Sequence, residues 1–340
     1  MTAYSTDVLV VGGGTFGTAL ASLLAENQRR VELWVRRAEQ AEEINTQHTN
    51  RRYLKEHPIC EAVTAVTELG PAVRRAGIVL MVVPSRAARD VARQLGEHIR
   101  GDQYLVHAVK GFEVATFQRI SQILRQETCA LKIGVLSGPT LALEVLARQP
   151  TGAVVASAFD EVVAALQWLF GASWFRIYGA RDVLGTEIGG SFKNIIALAA
   201  GFARGLELGS NSQSLLLTRG LAEMMKLGAH LGARLESFSG LAGVGDLVTT
   251  CGSELSRNNR LGKMVAEGRP LQEALDEMGQ VAEGVPTTQA VHPYAERAGL
   301  ELPIVRGVYR VLFENLSVSA ALDELMALPT GAEMAGIQMT

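Results

Sequence analysis

The chain has only three cysteines in 340 residues, Cys60, Cys129 and Cys251, and they form neither a CxxC pair nor an even disulfide framework. That excludes a disulfide-stapled secreted scaffold and favours a reducing compartment. No metal site is expected. Basic charge is not in excess either: 32 Lys and Arg stand against 35 Asp and Glu, a formal net charge of -3. A nucleic-acid binder needs a basic surface to neutralise phosphates, so that class is excluded. Arginine pairs at 29–30, 36–37, 51–52 and 74–75 are scattered among acids and read mostly as solvated helix ends. No apolar run reaches the roughly 20 residues needed to span a bilayer. The nearest, 188–203, is interrupted by Lys193 and Asn194. The N-terminus carries Asp7 inside its first ten residues, unlike a signal peptide. A soluble, cytoplasmic protein is expected, with no membrane insertion. Aromatics are few, at 6%.

Glycine, by contrast, is plentiful, at 35 residues, and 48% of the chain is hydrophobic. This composition suits helices packed closely on a sheet with sharp strand-to-helix turns. The length fits two domains. In the first half, short β-branched runs at 8–11, 31–35, 78–83, 105–109, 133–136 and 153–156 read as strands. Helical spacing at 18–28, 85–99 and 117–126 lies between them. That alternation predicts an α/β Rossmann-type domain over 1–183 with a mostly parallel sheet. Beyond it the strand signals nearly vanish. Helical patterns at 185–205, 212–232, 258–267, 271–278 and 287–298 predict an all-α domain over 184–330, with a tail at 331–340.

After the first strand, Gly12-Gly13-Gly14-Thr15-Phe16-Gly17 satisfies GxGxxG. The pattern is weak alone, but a strand before it, a helix after it and a second strand ending about 20 residues later point to a dinucleotide site; the other reading is a glycine-rich turn without ligand. Gly12 permits the tight turn, Gly14 lets backbone approach a pyrophosphate, and Gly17 allows close helix–strand packing. The helix N-terminus then attracts the phosphates. At the end of the second strand an NAD-selective site would offer a carboxylate. Here Arg36 and Arg37 stand instead, and Glu32 comes too early in the strand. Arginine pairs bidentately with a 2′-phosphate, so NADP(H) is expected to be preferred, with NAD(H) still usable. The other reading of the pair is a solvated strand terminus.

In the helical half, Lys193 lies inside a segment apolar nearly all round. Desolvation lowers a lysine pKa, and such a lysine can exchange a proton with an alcohol or alkoxide. The competing reading is a lysine snorkelling from the helix edge. The glycine-rich stretch 240–247 closes on Asp246, which could hold Lys193, hold a substrate hydroxyl or cap a turn. Ser256-Arg257-Asn258-Asn259-Arg260 opens a helix, with Ser256 as its N-cap and donors suited to a phosphate. Ser137-Gly138-Pro139-Thr140 and Lys110-Gly111 each follow a strand, at the sheet edge where open α/β folds bind ligands.

These motifs, in order and over nearly the whole chain, resemble the bacterial NAD(P)-dependent glycerol-3-phosphate dehydrogenases. The resembling segments are 12–20 (GGGTFGTAL), 82–85 (VVPS), Lys110-Gly111, 137–140 (SGPT), 189–194 (GGSFKN), 218–224 (TRGLAEM), 240–247 (GLAGVGDL) and 256–258 (SRN). The resemblance implies reversible reduction of dihydroxyacetone phosphate to sn-glycerol 3-phosphate for phospholipid synthesis, by a homodimer. It implies Lys193 as proton donor and acceptor with Asp246 beside it. Lys110, Gly138, Thr140, Asp246, Ser256, Arg257 and Asn258 are the implied substrate contacts. Thr15, Phe16, Arg36, Arg37, Lys110, Ala142, Arg257, Val281 and Glu283 are the implied nucleotide contacts. Three places depart from the family: Gly13 replaces alanine, read as harmless; Val109 replaces threonine; and Ser212-Gln213-Ser214 replaces small and basic residues. Two rivals are a dehydrogenase of another small substrate, such as a hydroxy acid or ketopantoate, and a non-catalytic NADP(H)-binding protein. The donors at 256–258 speak against the first, and retention of Lys193 and Asp246 against the second.

Overall fold

Alternating side chains along the first-half strands fall into two separate apolar cores, one per sheet face. Val8 and Val10 join one core while Leu9 and Val11 join the other. Ile78 and Leu80 divide from Val79 and Met81 in the same way. A strand buried on both faces has no polar positions to spare, which is why these runs are apolar throughout. Each fully buried Leu, Ile or Val contributes roughly 1.5–3 kcal/mol. The computed structural model describes residues 7–279 and 281–330, so the expected tail at 331–340 lies outside the described residues.

The strands are β1 (Asp7–Val11), β2 (Arg30–Trp34), β3 (Val63–Val66), β4 (Ile78–Met81), β5 (Tyr104–His107), β6 (Lys132–Ser137), β7 (Thr151–Ser157) and β8 (Phe175–Ala180). They form one sheet in the order β3-β2-β1-β4-β5-β6-β7-β8. Every neighbouring pair is parallel except β6 and β7. The expected α/β fold with a mostly parallel sheet is therefore present. The chain reverses its direction of strand addition between β1 and β4, the point beside which open α/β sheets bind nucleotides. Sequence periodicity did not show β3 or β8. β3 has only four residues, and β8 lies at the sheet's end with half-exposed or exposed side chains after Phe175.

The chain divides into two compact units: Met1–Val109 with Arg119–Val183, and Lys110–Gln118 with Leu184–Thr340. The sequence had placed 110–118 in the first domain. It clusters with the helical unit instead, where Phe112 is fully buried in the helical core.

That core surrounds the helix Val183–Gly205, buried without interruption from Gly185 to Ala203. Its neighbours include the helices Ser210–Leu231, Arg257–Ala266 and Gly284–Ala298. The helices Pro303–Phe313 and Val318–Met326 complete the described chain, and neither was read from the sequence. Gly201 and Gly262 let two of these helices meet backbone to backbone, since a Cβ on Gly201 would lie 2.8 Å from the Gly262 Cα. Glu223 reaches across to accept the N–H groups of Ile304 (2.7 Å) and Val305 (3.2 Å), anchoring the start of Pro303–Phe313. Burial pushes its carboxyl up to about 7, against the pull of those two N–H donors.

Candidate functional site

In the first unit the glycine loop joins β1 to the helix Thr15–Glu26. Gly12 adopts φ +121°, and a Cβ there would lie 2.2 Å from the carbonyl oxygen of Val82. Gly17 presses on the Gly12 carbonyl, which a Cβ would meet at 2.0 Å. Gly14 faces open space, with nothing within 4 Å of a built Cβ. It precedes the first turn without any side-chain cap, leaving that turn's N–H groups to an outside acceptor. Two close approaches and one open position are what a pyrophosphate cradle requires of its three glycines. Gly13 is not interchangeable with alanine here: a Cβ would meet Val35 Cγ1 at 2.3 Å. The departure read as harmless is thus matched to Val35.

The loop rests on a polar support that sequence patterning did not reveal. The Gly13 carbonyl accepts from Gln40 Nε2 (2.6 Å) and Asn50 Nδ2 (3.1 Å), and Asn50 also donates to Thr18 Oγ1 (2.8 Å). All three side chains are buried. At the end of β2, Arg36 is exposed and Arg37 half-buried, donating to Gln40 Oε1 at 3.4 Å. Glu32 is engaged elsewhere, accepting from Arg75 through both carboxylate oxygens at 2.9 and 3.0 Å. After β6, Gly138 takes φ +136° and its carbonyl accepts from Thr140 Oγ1 (3.2 Å). Ala142 begins the next helix, half-buried. Thr15 and Phe16, in the first turn after the loop, are also half-buried.

In the helical unit, Lys193 is 5% exposed and Asp246 1%. The Lys193 ammonium donates to Asp246 Oδ1 and to Thr250 Oγ1, the latter at 2.6 Å. Lys110 Nζ donates to the other carboxylate oxygen, Oδ2, at 2.7 Å. Lys193 therefore does not snorkel. With both lysines protonated, the cluster carries one positive charge beyond its carboxylate. Burial pulls Lys193 down from 10.5 to about 7; Asp246 opposes that fall and Lys110 adds to it. Cys251, which also feels Lys193 and Asp246, is pushed up to about 12 by burial and stays a thiol.

Local backbone places these groups. A single π turn, Leu241–Gly245, leads directly into the helix Asp246–Gly252. It lies so close to the Lys193 helix that a Cβ on Gly189 would meet the Ala242 carbonyl at 2.5 Å. Such π turns recur at functional sites because they re-aim the side chains that follow. Thr250 is the residue that sequence reasoning missed. Its position four after Asp246 on a helix puts both on one face, and that spacing was the available signal.

Ser256 caps Arg257–Ala266, accepting the Asn259 N–H at 3.3 Å, as its residue type and place suggested. Asn258 joins the cap to the Lys193 helix: its amide donates to Asn194 Oδ1 (2.9 Å) and its Oδ1 accepts the Gly284 N–H (2.8 Å). Arg257 stays accessible while protein crowds around it. That desolvation lowers its pKa, and Glu283 opposes the shift. Val281 and Glu283, just ahead of Gly284–Ala298, are half-buried. The predicted residues thus gather into two sets. Glycines 12, 14, 17 and 138, Thr15, Phe16, Arg36, Arg37, Thr140 and Ala142 belong to the first unit; Lys110, Lys193, Asp246, Ser256, Arg257, Asn258, Val281 and Glu283 belong to the second.

Comparison with known proteins gives one family. Residues 7–163 match the profile described as the NAD-dependent glycerol-3-phosphate dehydrogenase N-terminus, and residues 182–323 match the C-terminus of the same family. A relative in Leuconostoc mesenteroides, named as an NAD(P)+ glycerol-3-phosphate dehydrogenase, is 44% identical over 334 residues, covering 96% of this chain and 99% of its own. One in Teredinibacter turnerae with the same name is 42% identical over 335 residues, covering 98% of each. The crystal structure of glycerol-3-phosphate dehydrogenase from Coxiella burnetii superposes with a TM-score of 0.91 at 35% identity, covering 94% of this chain and 98% of that one.

Proposed function

Because the chain belongs to the NAD-dependent glycerol-3-phosphate dehydrogenase family, we propose a division of labour between its two units in that family's reaction. The protein is an oxidoreductase that reversibly reduces dihydroxyacetone phosphate to sn-glycerol 3-phosphate with NAD(P)H. Its product supplies glycerophospholipid synthesis. The single observation that carries the mechanism is the buried carboxylate of Asp246 shared by two lysines.

The first unit fits a dinucleotide. Gly12, Gly14 and Gly17, with the N–H groups around Thr15 and Phe16, would hold the pyrophosphate, and Ala142 would line the same site. Arg36 and Arg37 would take a 2′-phosphate, and Glu32, bound to Arg75, is not free to select the bare ribose. NADP(H) is therefore preferred, and NAD(H) remains usable. The nicotinamide supplies the hydride to C2 and takes it back in the reverse direction.

Lys193 gives a proton to the carbonyl oxygen as it becomes an alkoxide, and removes it in the reverse reaction. A pKa of about 7 suits both directions near neutrality. Asp246 and Thr250 aim the ammonium. Lys110 adds positive charge where negative charge develops. Gly138, Thr140, Ser256, Arg257 and Asn258 bind substrate. The guanidinium of Arg257 takes the phosphate dianion, which orients C2 for attack. Arg257, Val281 and Glu283 also touch the nucleotide. A substrate without phosphate leaves Arg257 unmatched, which favours this substrate over a hydroxy acid.

The test is spectrophotometric: oxidation of NADPH and of NADH, each with dihydroxyacetone phosphate. Rapid oxidation with a higher kcat/KM for NADPH is expected. Folded protein that binds NADPH and oxidises neither cofactor would overturn the substrate assignment. On the same family grounds the protein is a cytoplasmic homodimer, and light scattering should give twice the 36.4 kDa chain mass. Among the described residues, no helix is long and apolar enough to cross a membrane.

A further inference from the structure

Lys110 owes its place to a short segment that joins the helical unit although the residues on both sides of it belong to the other unit. Immediately after Lys110, Gly111 takes φ +146° and donates its N–H to Ser191 Oγ at 2.8 Å, two residues before Lys193 on the same helix. Phe112 is 1% exposed. The chain then turns back on itself. The N–H of Phe117 donates to the Glu113 carbonyl (2.8 Å), and the N–H of Glu113 to the Gln118 carbonyl (2.9 Å). Phe117 closes that turn with φ +58°, in the left-handed region that a bulky side chain avoids. Its ring lies flat between two others: Phe112 at 4.8 Å between centroids and 17°, and Tyr294 at 3.9 Å and 13°. Tyr294 comes from the helix Gly284–Ala298 and is met edge-on by His230 at 6.0 Å.

A left-handed aromatic residue persists only where its surroundings over-determine it. Here the surroundings are the stack, and what the stack holds is the segment that begins at Lys110. Lysine is a flexible donor on a long stem, so its position depends on a fixed backbone. We propose that the Phe112–Phe117–Tyr294 stack clamps the 110–118 segment onto the helical unit, and that Phe117 and Tyr294 are positioning residues that hold Lys110 on Asp246. This rests on the reading of Lys110 as a site residue. Neither Phe117 nor Tyr294 is part of the substrate or nucleotide sets above.

The experiment compares Phe117→Ala, Tyr294→Leu and Tyr294→Phe with Lys110→Met, in the full-length enzyme. For each, the KM for dihydroxyacetone phosphate, the KM for NADPH, kcat, the pH profile of reduction and Tm are measured. Phe117→Ala and Tyr294→Leu should lower kcat/KM about tenfold, through kcat as well as the KM for dihydroxyacetone phosphate, with a smaller rise in the KM for NADPH because Lys110 belongs to both contact sets. Their alkaline limb should move to higher pH, in the direction of Lys110→Met, because an ammonium has been withdrawn from beside Lys193. Tyr294→Phe keeps the ring and should recover the KM lost in Tyr294→Leu. A lower Tm with unchanged KM and pH profile would overturn the clamp and leave the stack as packing alone. If Phe117→Ala does not fold, Tyr294→Leu carries the same two outcomes. Should Lys110→Met itself leave activity and pH profile intact, the reading of Lys110 fails instead, which separates the two conclusions.

Discussion

The two functional regions are built from different materials. The glycine loop of the first unit works through backbone: three glycines set by contact or openness, N–H groups at a helix start, and a buried amide support beneath. The lysine cluster of the second unit works through side chains: two ammonium groups, a carboxylate and a hydroxyl taken from three separate stretches of chain and held away from water. A backbone site tolerates little change of shape and is indifferent to pH. A buried charge site depends on protonation and on every partner being present. Substitutions should therefore separate into effects on cofactor and stability in one region, and on turnover and pH dependence in the other.

The largest separation is expected from Lys193→Met. Loss of general acid–base catalysis lowers kcat by about 10²–10⁴-fold, while NADPH affinity measured by fluorescence titration changes little. Serine at both Arg36 and Arg37 should do the opposite. The ratio of kcat/KM for NADPH over NADH falls by roughly tenfold or more, as charge-assisted bonds to a phosphate are lost, and the pH profile of turnover with NADH stays put. Thr250→Val keeps the shape but removes a hydrogen bond to the ammonium, which lowers kcat about tenfold. Gly13→Ala sharpens the backbone side of the comparison. Crowding against Val35 should cost about 1–3 kcal/mol in denaturant unfolding, with the pH dependence of turnover unaltered.

Outside both regions lies Glu223, a buried carboxylate. Its folded pKa is raised from 4.5 to about 7, so the folded chain binds a proton that the unfolded chain has released. The stability from that proton is complete below about 4.5 and is lost as pH rises through about 7. Glu223→Gln, titrating nothing, should flatten Tm against pH across that window. An unchanged slope would show that the carboxyl is not the group responsible.

Much of the first region was legible because local chemistry dictates it. A GxGxxG between an apolar strand and a helix is contiguous; Gly12 and Gly17 each answer a nearby backbone, while Gly14 stands open. What was hidden there is non-local: Gln40 and Asn50 are ordinary polar residues until folding brings them under Gly13. In the second region a lysine inside an apolar helix was legible as an energetic anomaly, since an unpaired buried ammonium is untenable. Of its partners, Asp246 was suggested by its glycine-rich approach, Lys110 by its place after a strand at the sheet edge as well as by the family resemblance, and Thr250 not at all. Placing 110–118 with the helical unit was beyond periodicity, because a nine-residue segment held by ring stacking carries no repeating pattern.

The central claim is that Lys193, held near neutrality by burial and by Lys110, moves the proton. It is tested most directly by the pH dependence of kcat in both directions, from about pH 6 to 9, in the wild-type enzyme and in Lys193→Met. Reduction of dihydroxyacetone phosphate requires the ammonium and should decline as pH rises through about 7; oxidation of sn-glycerol 3-phosphate requires the free amine and should rise over the same window. Both limbs should vanish in Lys193→Met together with most of the turnover. A variant that keeps near-normal turnover and the same two limbs would contradict the assignment of the proton to Lys193.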